Sequence, residues 1–194
     1  YNTTESADGK VFWDGACGAA NPCTTNGVGN DSDQIGILMD PSNDLDCQGN
    51  AVASEDTVIA NVYYIDDPEN DLISSLYCRG YDLSANSWIS AGQPLVDGVE
   101  NMQILYGITD PVTNNMITSY VRSNEIADWA GIGAARISLL LNNGQTVGNG
   151  DTETRTFNVL DADVLTITDK HNRQVFATTI TINNIIYQSQ DSNQ

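Results

Sequence analysis

The feature that most constrains this chain is residues 132–144, IGAARISLLLNNG. Side chains along an extended strand alternate between two faces. Ala135, Ile137, Leu139 and Leu141 therefore share one face, and Ala134, Arg136, Ser138 and Leu140 share the other, more polar one. The segment ends at Asn143-Gly144, a strong turn signal. Residues 173–187, RQVFATTITINNIIY, repeat the pattern: Phe176, Thr178, Ile180 and Ile182 alternate with Val175, Ala177, Thr179 and Thr181.

Shorter extended segments surround these two. Residues 33–39 read as a strand, and 57–66, rich in β-branched and aromatic residues, as another. A DPEND turn returns the chain through 72–82 as a hairpin partner. Residues 99–108 and 164–169 complete a set of about seven. One short helix is predicted over 123–130, SNEIADWA, with Ser123 or Asn124 as N-cap and acidic residues in its first turns. No alternation of strand and helix is visible, so the sheets should be antiparallel. The fold class is mainly β, or α+β with a single short helix. Residues 1–30 read as a loop-rich segment, 31–187 as the β domain, and 188–194 as a polar, disordered tail.

Charge narrows the partners. Seven Lys and Arg stand against 26 Asp and Glu, a formal net charge of −19. Such a surface repels nucleic-acid phosphates and anionic head groups, and the seven cations are scattered along the chain. Nucleic acid is therefore an unsuitable partner. No run of 18 apolar residues is present.

Four cysteines in an acidic, lysine-poor β protein fit an oxidising compartment and an exported chain. Sequence allows three connectivities. The favoured one is Cys17–Cys23 with Cys47–Cys78, because short-range pairing needs the least chain reorganisation. Closing the longer loop should contribute on the order of 3 kcal/mol.

Catalytic chemistry is sparse. His171 is the sole histidine and lies in a polar turn, TDKHNRQ. No nucleophile elbow, zinc-binding H-E-x-x-H or glycine-rich phosphate loop accompanies it. The chain is not expected to be an enzyme, and no cofactor is implied. One calcium pattern merits attention: Asp44, Asp46 and Gln48 fall at loop positions 1, 3 and 5, Gly49 at the turn and Glu55 at position 12. Against it, Gln48 replaces the usual Asp or Asn, and Cys47 sits inside the loop. The competing reading is an Asx-type turn before a disulfide.

Four segments in order carry a family resemblance. They are LVDGVENMQILYGI from residue 95, a tract ending SYVRSNEIADW, GIGAARISLLLNNG, and RQVFATTITINN. Together they resemble the PilW family of type IV pilus minor pilins, related to the J-type minor pseudopilins of type II secretion. The matching residues are Gly98, Val99, Glu100, Gln103, Tyr106, Gly107, Asp128, Trp129, Arg136, Ile137 to Leu141, Arg173, Phe176, Thr178 and Thr179. The family has Arg where this chain has Asn183, so any contact of that cation does not carry over. The resemblance covers about residues 31–184.

It implies a pilin-like globular domain, expected here without the family's long N-terminal helix, which would precede Tyr1. It implies a non-catalytic subunit that helps prime pilus assembly and forms part of the tip complex. Its partners would be other minor pilins, the major pilin and a tip adhesin, with membrane contact only through the missing helix. It would stand on the periplasmic face of the inner membrane before assembly and in the extracellular pilus afterwards. A surface adhesion or ligand-binding module, presenting aromatics such as Trp13 and Trp88, is one alternative, and a repeating filament subunit is another. Two residue-level expectations complete the reading. Glu100 and Arg136 should pair across adjacent strands. Strands 132–141 and 175–182 should line an apolar groove where the helix would lie.

Overall fold

In a computed structural model, the described residues are 12–18, 22–39, 45–52, 58–67, 74–110, 116–146 and 151–182. They form an antiparallel β protein of two packed sheets and a ribbon. The first sheet contains β1 (Ile35–Met39), β2 (Ile59–Asp66), β3 (Ser75–Asp82), β4 (Ser87–Trp88) and β5 (Gln93–Asp97). Its order is β1-β2-β3-β4, with β5 also paired to β3. The second sheet contains β6 (Val99–Asp110), β7 (Met116–Val121), β8 (Ile132–Thr146) and β11 (His171–Thr181), in the order β11-β8-β6-β7. Between β8 and β11 the chain forms a two-stranded ribbon of β9 (Glu153–Phe157) and β10 (Leu165–Asp169).

Gly98 is the corner between the two sheets. The chain leaves β5 at Asp97 and starts β6 at Val99, with Gly98 at φ +80°. A side chain there would be strained and would meet the Asn142 carbonyl at 2.1 Å from its Cβ. The corner is pinned on both sides: the Gly98 N–H donates to the Ser74 carbonyl, and the Asn142 N–H donates to the Gly98 carbonyl. The Asp-Gly signal in LVDGVE thus marks a transfer between layers.

The main core lies between the sheets. Ile35 from the first sheet and Met102, Ile104, Tyr106 and Ala135 from the second are buried there. Phe12, Tyr106 and Trp129 meet edge to face, with ring centroids 5.1 to 6.3 Å apart. A smaller core on the opposite side of the first sheet packs Cys17, Cys23 and Leu83 onto Ala60, Val62 and Tyr81. Residues 12–18 and 22–30 therefore pack with the β domain: although rich in turn formers, they supply Phe12 to one core and the Cys17–Cys23 disulfide to the other.

The chain links Cys17 to Cys23 and Cys47 to Cys78. The longer link ties the loop before β2 to the middle of β3.

The expected helix over 123–130 is replaced by two single 3-10 turns, Ser123–Glu125 and Trp129–Gly131. Between them Ile126 is extended, at φ −79° and ψ 119°. Burial of Trp129 against Phe12 and Tyr106, together with Ile126 packed on the same core, sets the path. Tertiary packing here overrides local propensity. The N-cap is Arg122, whose N–H donates to the Glu125 carboxylate, rather than Ser123 or Asn124.

The two faces of β8 also depart from a simple apolar-in reading. Ala134, Ser138 and Leu140, on the more polar face, are only 0 to 1% exposed, whereas Ile137 and Leu139 are half-buried. Loops cover the polar face of this sheet: Asn101 and Gln103 donate side-chain hydrogen bonds to the carbonyls of Asn30 and Asp31. The first sheet covers the opposite face only in part.

Candidate assembly surface

Three rows of side chains cross the second sheet on its core-facing side. Strand register aligns Met102, Leu139 and Phe176 in one row, Ile104, Ile137 and Thr178 in the next, and Tyr106, Ala135 and Ile180 in the third. Burial falls steadily along the rows. Met102, Ile104 and Tyr106 on β6 are 1 to 3% exposed. Ile137 and Leu139 on β8 are half-buried. Phe176 and Ile180 on β11 are 49% and 52% exposed. The first sheet thus covers Met102, Ile104 and Tyr106 on β6 and leaves β11 overhanging. The uncovered strip is continuous with the core, and a cleft lined by Val96, Leu141, Arg173 and Phe176 extends it toward the Gly98 corner.

One end of the strip is fixed by ions. Arg173 donates to both oxygens of Glu100, at 2.5 and 2.9 Å, and to Asp169 at 2.7 Å. Its side chain is 7% exposed and that of Glu100 is 14% exposed. Asn142 adds a 2.7 Å bond from its amide to Glu100. Burial alone would lower the Arg173 pKa, but its bonds to Asp169 and Glu100 outweigh this and raise it. The same bond to Arg173 holds the Asp169 carboxyl well below the usual carboxylate range.

The expected Glu100–Arg136 pair does not form. Arg136 lies opposite Leu105, five residues farther along β6. At the rise of an extended strand that is roughly 16 Å. Glu100 instead falls at a register irregularity between Val99 and Asn101 and meets Arg173. The Arg136 guanidinium lies 4.2 Å from the centre of the Tyr120 ring, a cation–π contact.

The other singled-out residues are structural in geometry. His171 starts β11 and donates its N–H to Asp169 at 2.9 Å, with its Nδ1 at 3.3 Å from the same carboxylate. Asp46 accepts from the backbone N–H groups of Gln48 and Asn50, which makes an Asx-type turn. Gln48 donates to the carbonyls of Cys78 and Ala91. Asp44, Glu55, Asn183 and the tail 188–194 lie outside the described residues. Among the described residues no group of three His, Cys, Asp or Glu side chains is placed to hold a metal ion. Trp88 packs edge to face on Tyr81 under the Arg79 guanidinium, and Trp13 packs against the smaller core.

A further carboxylate escaped the sequence reading. Asp33 is 3% exposed, and its two oxygens accept the backbone N–H groups of Gly27 and Ile104 at 2.7 and 2.6 Å. It staples the loop over the second sheet to the central strand. Burial pushes its pKa up to about 6, against the lowering effect of the two N–H groups. The signal in sequence was only an Asp within NDSDQ, one acid among 26.

The architecture is that of a disulfide-linked, acidic β domain with a partly uncovered apolar strip on its second sheet. A family model described as Type IV Pilus-assembly protein W matches residues 62–184. The chain belongs to that family, and with it to the type IV pilus assembly proteins. No curated protein and no solved structure gives a significant match. Among the described residues no helix is long and apolar enough to cross a membrane.

The motif residues that carry the resemblance now have physical roles. Gly98 turns the corner, Glu100 and Arg173 lock it, and Gln103 ties down the loop. Tyr106 and Trp129 build the aromatic core. Asp128 caps the second 3-10 turn through the Ala130 N–H. Gly107 lets Ile117, Tyr120 and Ala134 close to within 3.1 to 3.3 Å of where a Cβ would stand.

Proposed function

We propose that this chain is the globular domain of a minor pilin, a non-catalytic subunit that helps prime type IV pilus assembly and stands in the complex at the pilus tip. Family membership supports the pilus assignment. The observation that carries the finer reading is the strip of Leu139, Ile137, Phe176 and Ile180, half-buried on β8 and half-exposed on β11. In this reading the amphipathic half of an N-terminal pilin helix lies along the strip. The partners are sibling minor pilins and the major pilin, met through helices and the sides of the domain. The subunit is exported, held at the periplasmic face of the inner membrane, then incorporated in the extracellular pilus.

The strip makes the reading testable in solution. An exposed apolar surface continuous with a core binds apolar dyes and gains stability when covered. The globular domain should bind such a dye. Joining an amphipathic pilin helix ahead of Tyr1 should suppress dye binding and raise the melting temperature. A polar helix of equal length should do neither. Absence of dye binding, together with no gain from the amphipathic helix, would count against the proposed packing.

A further inference from the structure

β11 has a second exposed feature, its outer edge. Among the described residues it pairs only with β8, and the register runs unbroken from Arg173 to Thr181. Residues 176 to 181 are exposed without exception, on both faces. An edge strand is normally guarded by charges, proline, a bulge or a covering loop. From Gln174 to Ile182 there is no charge and no proline, in a chain whose formal net charge is −19. Five of the eight residues from Gln174 to Thr181 are Val, Ile or Thr, which favour extended pairing.

We propose that this edge pairs with its own copy, β11 to β11 antiparallel about a two-fold axis through Thr178. The sequence is complementary to itself in that register. Phe176 falls opposite Ile180 of the second copy and Ile180 opposite its Phe176. Thr178 meets Thr178, and on the other face Ala177 meets Thr179. Opposed residues of an antiparallel pair project to the same face, so the two apolar strips become one, running from Met102 across the axis into the second molecule. Charge selects the same place. Two chains of net charge −19 repel over most of their surfaces, and this edge is a neutral stretch along which their backbones approach. The pairing joins two second sheets into one of eight strands. It does not depend on the minor-pilin reading, because it uses the backbone edge rather than the covered face.

Symmetry supplies a sharp test. All four native cysteines are in disulfides, so an introduced thiol reacts alone. Thr178→Cys places two thiols directly opposite across the axis, at Cα separations of about 4.5 to 5.5 Å, within disulfide reach. Thr179→Cys places its two thiols roughly 8 Å apart, beyond that reach. The wild-type chain should sediment as a dimer, and Ile180→Lys, a charge on the exposed edge, should return it to a monomer that still unfolds cooperatively. T178C should oxidise to a covalent dimer much faster than T179C. A wild-type chain that stays monomeric at its highest soluble concentration, or equal crosslinking of the two cysteine variants, would overturn the proposal.

Discussion

Replacing Arg173 with Met is expected to destabilise the protein by about 1.5 to 3 kcal/mol, the range for hydrogen bonds to charged groups, because the pair is partly buried. The reason lies in what remains. Glu100, 14% exposed, would lose both bonds to Arg173 and keep the Asn142 amide among the described residues, and Asp169 would lose its 2.7 Å cation. Arg173→Lys should recover part of the loss, because an ammonium cannot span two carboxylates with a planar fork. The double variant E100Q/R173M should lie well above the sum of the single losses, because neither charge is then stranded. Urea denaturation of the wild type, E100Q, R173M and E100Q/R173M forms a double-mutant cycle. A loss below about 1 kcal/mol for R173M would place the pair among ordinary surface ion pairs and remove its assigned role at the corner.

Lowering the pH from 7 to 5 is expected to stabilise the fold, opposite to the usual behaviour of paired carboxylates. Asp33 carries the effect. Its pKa is about 6 in the folded chain against an ordinary 3.8, so the folded state binds the proton more readily than the unfolded one. A raised carboxyl pKa makes stability fall as pH rises between 3.8 and 6. For this group the difference between the two ends is about 3 kcal/mol, at 1.36 kcal/mol per pH unit. Asp169 has the opposite sign: its pKa is depressed, so its contribution is present above the ordinary carboxylate value and is lost only in stronger acid. Among the described carboxylates with a shifted pKa, the window from pH 4 to 6 belongs to Asp33. Asp33→Asn should flatten the rise in melting temperature from pH 7 to 5, whatever its absolute stability. An unchanged slope in D33N would assign the effect to the general acidity of the chain instead.

The strongest strands were legible because their side chains are sorted by face. Residues 132–144 were expected as a strand and β8 spans Ile132–Thr146, while 173–187 contains nearly all of β11. Strands without an apolar face were not legible. β5 is exposed along its whole length and contains Pro94, β7 is exposed or half-exposed throughout, and β9 is Glu-Thr-Arg-Thr-Phe. Each is held by backbone pairing to a neighbour, which leaves little trace in hydropathy. The Asp128-Trp129 segment misled for a different reason: acidic first-turn residues suit a helix, but the indole needed the core. The partner of Glu100 required register, and a single irregularity after Val99 places it beyond inspection. Ile137, Leu139, Phe176 and Ile180 could be grouped by parity from sequence. How far the first sheet covers them could not, because that depends on how two sheets overlap.

In the proposed reading the strip on β8 and β11 seats a pilin helix, and the domain acts in pilus assembly. The most direct measurement is surface piliation in the source organism after deletion of the gene and return of defined variants. Loss of pili on deletion, recovery with the wild-type chain, and no recovery with Phe176→Asp/Ile180→Asp at equal abundance is the predicted result. Full piliation in the deletion strain, or equal rescue by the strip variant, would contradict it.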